Sequence, residues 1–228
     1  MRFTFAAFMR KTTSFLIAFF IVPALLFART TSSQAQNVFH GCPPEGSATA
    51  RTKTDPELNK LKNRIDIPTS FKEMSFNTLV HLAIPKGVSK RHRTYWPSKD
   101  LGQVQAQEKK AIRVEGYLIG AKEAEIESCN CYVQSDRDFH IWLGGSANDI
   151  KSEAVVTEVT PRIRASHPSW RLRILKKLAK AHAKVRISGW LMLDPEHPEQ
   201  RGRTRATLWE IHPVLKLEVQ GVGGWREL

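Results

Sequence analysis

Five segments between residues 112 and 219 alternate apolar and polar side chains with a period of two. They are interrupted once, by a stretch whose apolar residues fall three and four apart. A two-residue period puts successive side chains on opposite faces of a strand, whereas a spacing of three and four lines one side of a helix. Residues 112–120 place Ile112, Val114, Gly116 and Leu118 on one face. Residues 138–143 set Phe139, Ile141 and Leu143 against Asp138, His140 and Trp142, and residues 154–160 form a third strand closed by Pro161. Residues 169–183 follow as a helix, with Trp170, Ile174, Leu175 and Leu178 in its apolar stripe and Arg171, Arg173, Lys176, Lys177 and Lys180 around it. Residues 184–193 and 207–219 are two further strands.

Strand, strand, strand, helix, strand, strand is the order of the OB-fold, a five-stranded Greek-key barrel. The expected fold class is therefore mainly β: an OB-like five-stranded barrel with one capping helix over residues 111–220, then a C-terminal tail, residues 221–228. A basic amphipathic helix can also lie on an anionic membrane. The capping role is the better reading, because five short strands leave a core that the stripe is needed to close.

Residues 36–110 form a short helical or irregular N-terminal extension. Thr54 or Asp55 can cap a helix opened by Pro56 and carrying Leu58, Leu61 and Ile65, and a second short helix fits residues 75–84. Ahead of it, residues 1–35 have the form of a signal peptide: Arg2, Arg10 and Lys11, an apolar run over residues 15–27, and the small-x-small site Ser33-Gln34-Ala35. That run is shorter than the roughly 20 residues a membrane span needs. A secreted or periplasmic protein with no transmembrane span in its mature chain is the expectation. The formal charge of +13 counts in favour of binding a polyanion.

Cys42, Cys129 and Cys131 would then lie in an oxidising compartment. A bond between Cys129 and Cys131 would close a strained ring, so Cys42 is expected to pair with one of them. A metal role for the Cys-x-Cys pair and redox chemistry are weaker alternatives, since a second cysteine pair and a Cys-x-x-Cys unit are both missing.

The phrases GCPPEG around Cys42, LNKLKNR over residues 58–64, ESCNC over 127–131, VVTEVTPR over 155–162, GWLMLDPEH over 189–197 and TLWEIHPV over 207–214 resemble a group of uncharacterised secreted bacterial proteins. The resemblance spans nearly all of the mature chain and implies no known activity. Where that group carries His after the second Cys of its CxC unit, this chain has Tyr132.

Three functions are compatible with these residues. In the first, the barrel binds a polyanion such as nucleic acid or an anionic glycan. Arg201, Arg203 and Arg205, in the loop between the last two strands, meet phosphates, and Trp190 and Trp209 stack if exposed. In the second, His140, His197, Glu210 and His212 hold a divalent metal such as zinc, and the protein is a phosphodiesterase-like hydrolase. Asp138 shares a strand face with His140, but in an OB-fold the second and fifth strands are not expected to be neighbours. In the third, the barrel is a non-catalytic partner of an envelope protein. The basic and aromatic run from Lys86 through Arg91, His92, Arg93, Tyr95 and Trp96 reads as a solvated surface loop. The chain carries no P-loop, no HExxH helix and no G-x-S-x-G elbow.

Overall fold

The computed structural model describes residue 1, residues 38–48 and residues 53–228. The expected signal peptide lies outside the described residues apart from Met1.

The extension begins with α1, Pro56–Lys62, where the Asp55 side chain accepts from the Glu57 amide and Pro56 opens the helix. A two-residue strand β1, Lys72–Glu73, and a helix α2, Phe76–Val80, follow, the latter capped by Ser75, which accepts from the Thr78 amide. A third helix, α3, Ser98–Glu108, has only Leu101 and Val104 as larger apolar residues. Its helicity is secured by packing, since Val104 is fully buried.

The barrel strands are β2, Ala111–Glu123, β3, Phe139–Gly144, and β4, Val155–Val159. Two helices come next, α4, Pro161–Arg164, and α5, Leu172–Lys180, and then β5, Lys184–Leu193, and β6, Trp209–Gly221. The expected helix over residues 169–183 is shorter because the chain is still extended at Arg171, and it ends where His182 adopts a left-handed conformation, φ 45°. Inside the expected tail the chain forms one more strand, β7, Gly224–Glu227, paired with β6.

Hydrogen bonding runs β2–β3–β4–β6–β5 and returns to β2, which closes the five strands into a barrel with the OB connectivity. Among the five barrel strands the parallel contact is that of β4 with β6, held by the Thr157↔Ile211 register; outside the barrel β1 also pairs in parallel with β2. Within the barrel β2 serves β5 with its first half and β3 with its second. Gly116 sits near this transfer, where an added Cβ would lie 2.4 Å from the Gly144 carbonyl oxygen. At Gly189, beside a register shift between β5 and β6, it would lie 2.2 Å from the Pro213 oxygen. Both glycines permit the close backbone approach that a small barrel demands.

The interior is apolar: Ile112, Val114, Leu118, Ile141, Leu143, Ile187, Leu191 and Leu217 are buried, with Leu175 of α5 packed onto them as the cap. Leu79, Trp96 and Val104 belong to the same core, so the extension is built onto the barrel. Arg93 and Glu108 reinforce it with a bidentate pair at 2.6 and 2.7 Å, and each also bonds the backbone of Leu193.

The outer face of β3, β4 and β6 is buried too, against the alternation expected of a solvated sheet face. The loop over residues 194–208 covers it: the Trp142 indole donates to the Thr204 carbonyl at 2.7 Å and the Ala206 amide to Ala154 at 2.8 Å. Helix α1 and the turn Ser128–Asn130 close the remaining side.

Candidate metal centre

Between that outer face and its covering lies a cavity of about 250 Å³. Strand alternation puts His140 and Trp142 of β3, Glu158 of β4, and Glu210 and His212 of β6 on the face opposite the core, and the register brings them into one row. His140 lies directly across from Glu158, and its Nδ1 is 2.8 Å from Glu158 Oε1. Strand β4 is thus the bridge by which the second and fifth strands share a site, and His140 converges with His212 without their strands pairing.

His212 is fully enclosed. Its Nδ1 is 3.4 Å from Glu210 Oε2 and 3.7 Å from Glu158 Oε2, and its Nε2 is 3.4 Å from Asp138 Oδ2. Burial opposes a charge on this imidazole, but the bonds to Asp138 and Glu210 and the charge of Glu158 outweigh it, so its pKa is pushed up to about 10. Burial likewise acts against the Glu158 carboxylate. The His140 bond and the charge on His212 overcome it and hold Glu158 well below the usual range. Asp138 goes the other way, because burial dominates and raises its pKa. Asn130 donates to Asp138 Oδ1 at 2.8 Å and fixes that carboxylate in place.

Donor atoms of Asp138, Glu158 and His212 all lie within 4.8 Å of one another, so the three can hold a metal ion. In a tetrahedral zinc site neighbouring donors are separated by about 3.4 Å, the distance found between His212 Nε2 and Asp138 Oδ2. Neither of those atoms has a well-formed hydrogen bond, and His140 Nε2 is also buried without one. A histidine that holds a carboxylate through Nδ1 and presents Nε2 to a cavity has the usual orientation of a metal-ligating imidazole.

The rest of the cavity wall is charged. Arg205 bonds Asp194 at 2.9 Å and makes a short contact to Glu210. Asp194 in turn bonds His197 Nδ1 at 2.7 Å, which raises the His197 pKa. Lys62, at the end of α1, lies 2.9 Å from both Glu127 and Glu196. Burial opposes the lysine's charge, yet these two glutamates keep its pKa well above the ordinary value. Glu125, Glu127, Glu158, Asp194 and Glu210 face Lys62, Lys122 and Arg205 across the cavity, which leaves an excess of negative charge before the histidines are protonated.

Of the expected metal ligands, His140, Glu210 and His212 meet in this network, and His197 lies at its rim. His212 alone of these four belongs to the group whose donor atoms come together, and Asp138 and Glu158 are its other two members. Glu158 was concealed by its apolar surroundings in VVTEVTPR, and the available signal was its position out of phase with Val155, Thr157 and Val159. Nothing local in the sequence marks Lys62.

The stacking expectation requires correction. Trp209 is completely buried and its N–H donates to the Ala83 carbonyl. Trp190 is buried under Arg64, whose guanidinium lies 3.5 Å from the ring centroid, and its N–H donates to Asp66. The extension covers both rings, so neither can stack on a ligand. Arg205 is likewise buried and bound to carboxylates, while Arg201 and Arg203 are exposed.

A disulfide joins Cys42 to Cys131, and Cys129 is free and buried. Burial, then the charges of Glu127 and Asp138, raise the Cys129 pKa well above the ordinary value, which makes this thiol a poor nucleophile. With Cys131 in the disulfide, the Cys-x-Cys pair has no second thiolate to offer a metal.

Fold and site together define a closed OB-type barrel with a buried Asp/Glu/His centre on its outer wall. No protein-family model, curated protein or solved structure matches the chain. Among the described residues no helix is long and apolar enough to cross a membrane.

Proposed function

We propose that this chain is a secreted or periplasmic, divalent-metal-dependent hydrolase of a phosphodiester. The convergence of Asp138, Glu158 and His212 carries this reading. Asp138 Oδ2 and His212 Nε2 are buried without a hydrogen-bond partner, and burying ionisable groups without such a role is costly. Zinc suits the mixed nitrogen and oxygen donors, and a cation held there supplies Lewis acidity and lowers the pKa of bound water.

This chain's own residues would do the rest. His140 and Glu158 hold each other in orientation, as Asn130 holds Asp138. Lys122, on the cavity wall, would offset the charge of an entering phosphate. His197, whose pKa is raised by its bond to Asp194 at the rim, would give a proton to a leaving group. The disulfide supports the assignment to an oxidising compartment.

Zinc titration of the full protein, followed by calorimetry and by hydrolysis of bis(p-nitrophenyl) phosphate, tests the reading. Asp138→Asn and His212→Gln are each expected to weaken zinc binding by more than about tenfold and to abolish hydrolysis. A parent protein that purifies without metal and gains no thermal stability from zinc would overturn it.

A second reading has its own support: Arg201 and Arg203 stand exposed in the loop whose Gln200 and Thr204 line the cavity, so polyanion binding can operate there without chemistry.

A further inference from the structure

The run of basic and aromatic residues after Lys86 is a surface loop pinned to the body of the protein at Arg93 and Trp96. Arg93 is buried against Glu108, its amide donates to Asp55 at 2.6 Å, and Trp96 is buried with its indole bonded to the carbonyls of Ser89 and Arg91. These anchors hold the turn Arg93–Tyr95 rigidly, yet Tyr95 keeps 70% of its surface exposed. Its ring lines a groove of about 840 Å³ together with the exposed side chains of Lys53, Lys90 and Arg91. The acidic residue on this wall, Glu196, is engaged by Lys62 at 2.9 Å. Lys90 pairs with Glu199, but that pair is exposed on both sides, and such pairs contribute little and exchange readily for another anion.

Groove and cavity are neighbours, linked by the Lys62–Glu196 pair. Glu196 lines the groove and bonds Lys62, which lines the cavity, while Glu199 is followed by Gln200, another residue of the cavity wall. We infer that this groove is the binding cleft for single-stranded nucleic acid, with a base stacked on Tyr95 and the flanking phosphates held by Lys53, Lys90 and Arg91. The strand then continues across the Lys62–Glu196 bridge toward Asp138, Glu158 and His212. An exposed aromatic ring on an anchored turn, set amid unburied cations, is the combination that grips single strands without reading their sequence. The inference rests on the hydrolase reading for where the strand leads, but strand binding itself needs no metal.

The test is a fluorescence-anisotropy titration of the full protein with labelled oligothymidylate in EDTA, at low and at physiological salt. The parent should bind, and more weakly as salt rises. Tyr95→Ala should lower affinity at least about fivefold, whereas Tyr95→Phe should retain it. Lys90→Ala combined with Arg91→Ala should weaken binding and flatten its salt dependence. Lys176→Ala combined with Lys177→Ala removes the same charge from exposed positions of α5 and should change little. Absence of binding, a Tyr95→Ala protein that binds like the parent, or an equal loss in the α5 variant would each overturn the inference. Because EDTA is present throughout, failure of the metal reading leaves this result standing, and failure here leaves zinc binding by Asp138, Glu158 and His212 untouched.

Discussion

The barrel interior and the charged row on its outer wall are both buried and oppositely built. Inside, Ile141, Leu143, Ile187 and Leu217 are fully buried among apolar neighbours. Outside, one residue along the same strands, His140, Glu158, Glu210 and His212 are buried among charges. Apolar burial is favourable at each position by itself, at about 25 cal/mol per Å² removed from water. A buried charge is tolerable only through its partners, because desolvation outweighs whatever a single group gains. Stability in the interior is therefore local to each side chain, while in the cavity it belongs to the network.

Truncation separates the two regimes most sharply. Trp209→Ala, in the apolar core, should cost about 3–5 kcal/mol in urea unfolding, and neutralising residues of the charged cavity should recover none of it. Arg205→Met should cost a similar amount, about 3–5 kcal/mol, because Asp194 and Glu210 are left as uncompensated buried charges. Combining it with Asp194→Asn and Glu210→Gln should regain most of that loss. If the triple variant is no more stable than Arg205→Met alone, the cavity charges are not an energetic unit.

Single neutral substitutions give a smaller effect whose sign differs by residue. Glu158 is held below the usual carboxylate range, so its charged form favours the fold, and Glu158→Gln should lower stability by about 1–3 kcal/mol. Asp138 is raised by burial, so Asp138→Asn should cost less than Glu158→Gln or stabilise the metal-free protein while removing a ligand. Equal losses from the two would contradict the assigned directions.

Titration of the metal-free protein follows from the same shifts. Glu158 and Asp194 are depressed, so their contribution is present above the ordinary carboxylate range and is lost as pH falls through their folded values. Asp138 partly offsets this on the acid side. His212 is raised from 6.5 to about 10, so its contribution is complete below pH 6.5 and is lost as pH rises toward about 10. Chemical denaturation across pH should show an alkaline decline that disappears in His212→Gln; persistence of that decline would assign it elsewhere.

The smallest expected effect is at the exposed rim. Arg201→Ala with Arg203→Ala should change stability by less than about 0.5 kcal/mol, yet weaken polyanion binding and reduce its salt slope. A larger loss of stability would mean that these side chains support the cavity wall.

Residue order and periodicity determined the barrel. Alternation over residues 184–193 defines β5 to the residue, and the helical segment between the third and fourth strands identified the connectivity. Asp55-Pro56 and Ser75 marked helix starts because capping is a local interaction between a side chain and the next few amides. Helix α3 and strand β7 were not legible, since Leu101 and Val104 make a weak stripe and β7 depends on pairing with β6. The site divides in the same way. Alternation placed His140 with Asp138 and Glu210 with His212, a property of each strand alone. Only the tertiary structure could bring Glu158 between them, bury Trp190 and Trp209 under the extension, and set Lys62 against Glu127 and Glu196. Each of these depends on inter-strand register, or on contacts between segments distant in sequence. Local spacing fixes which face of an element a side chain takes, and the folded chain fixes what covers that face.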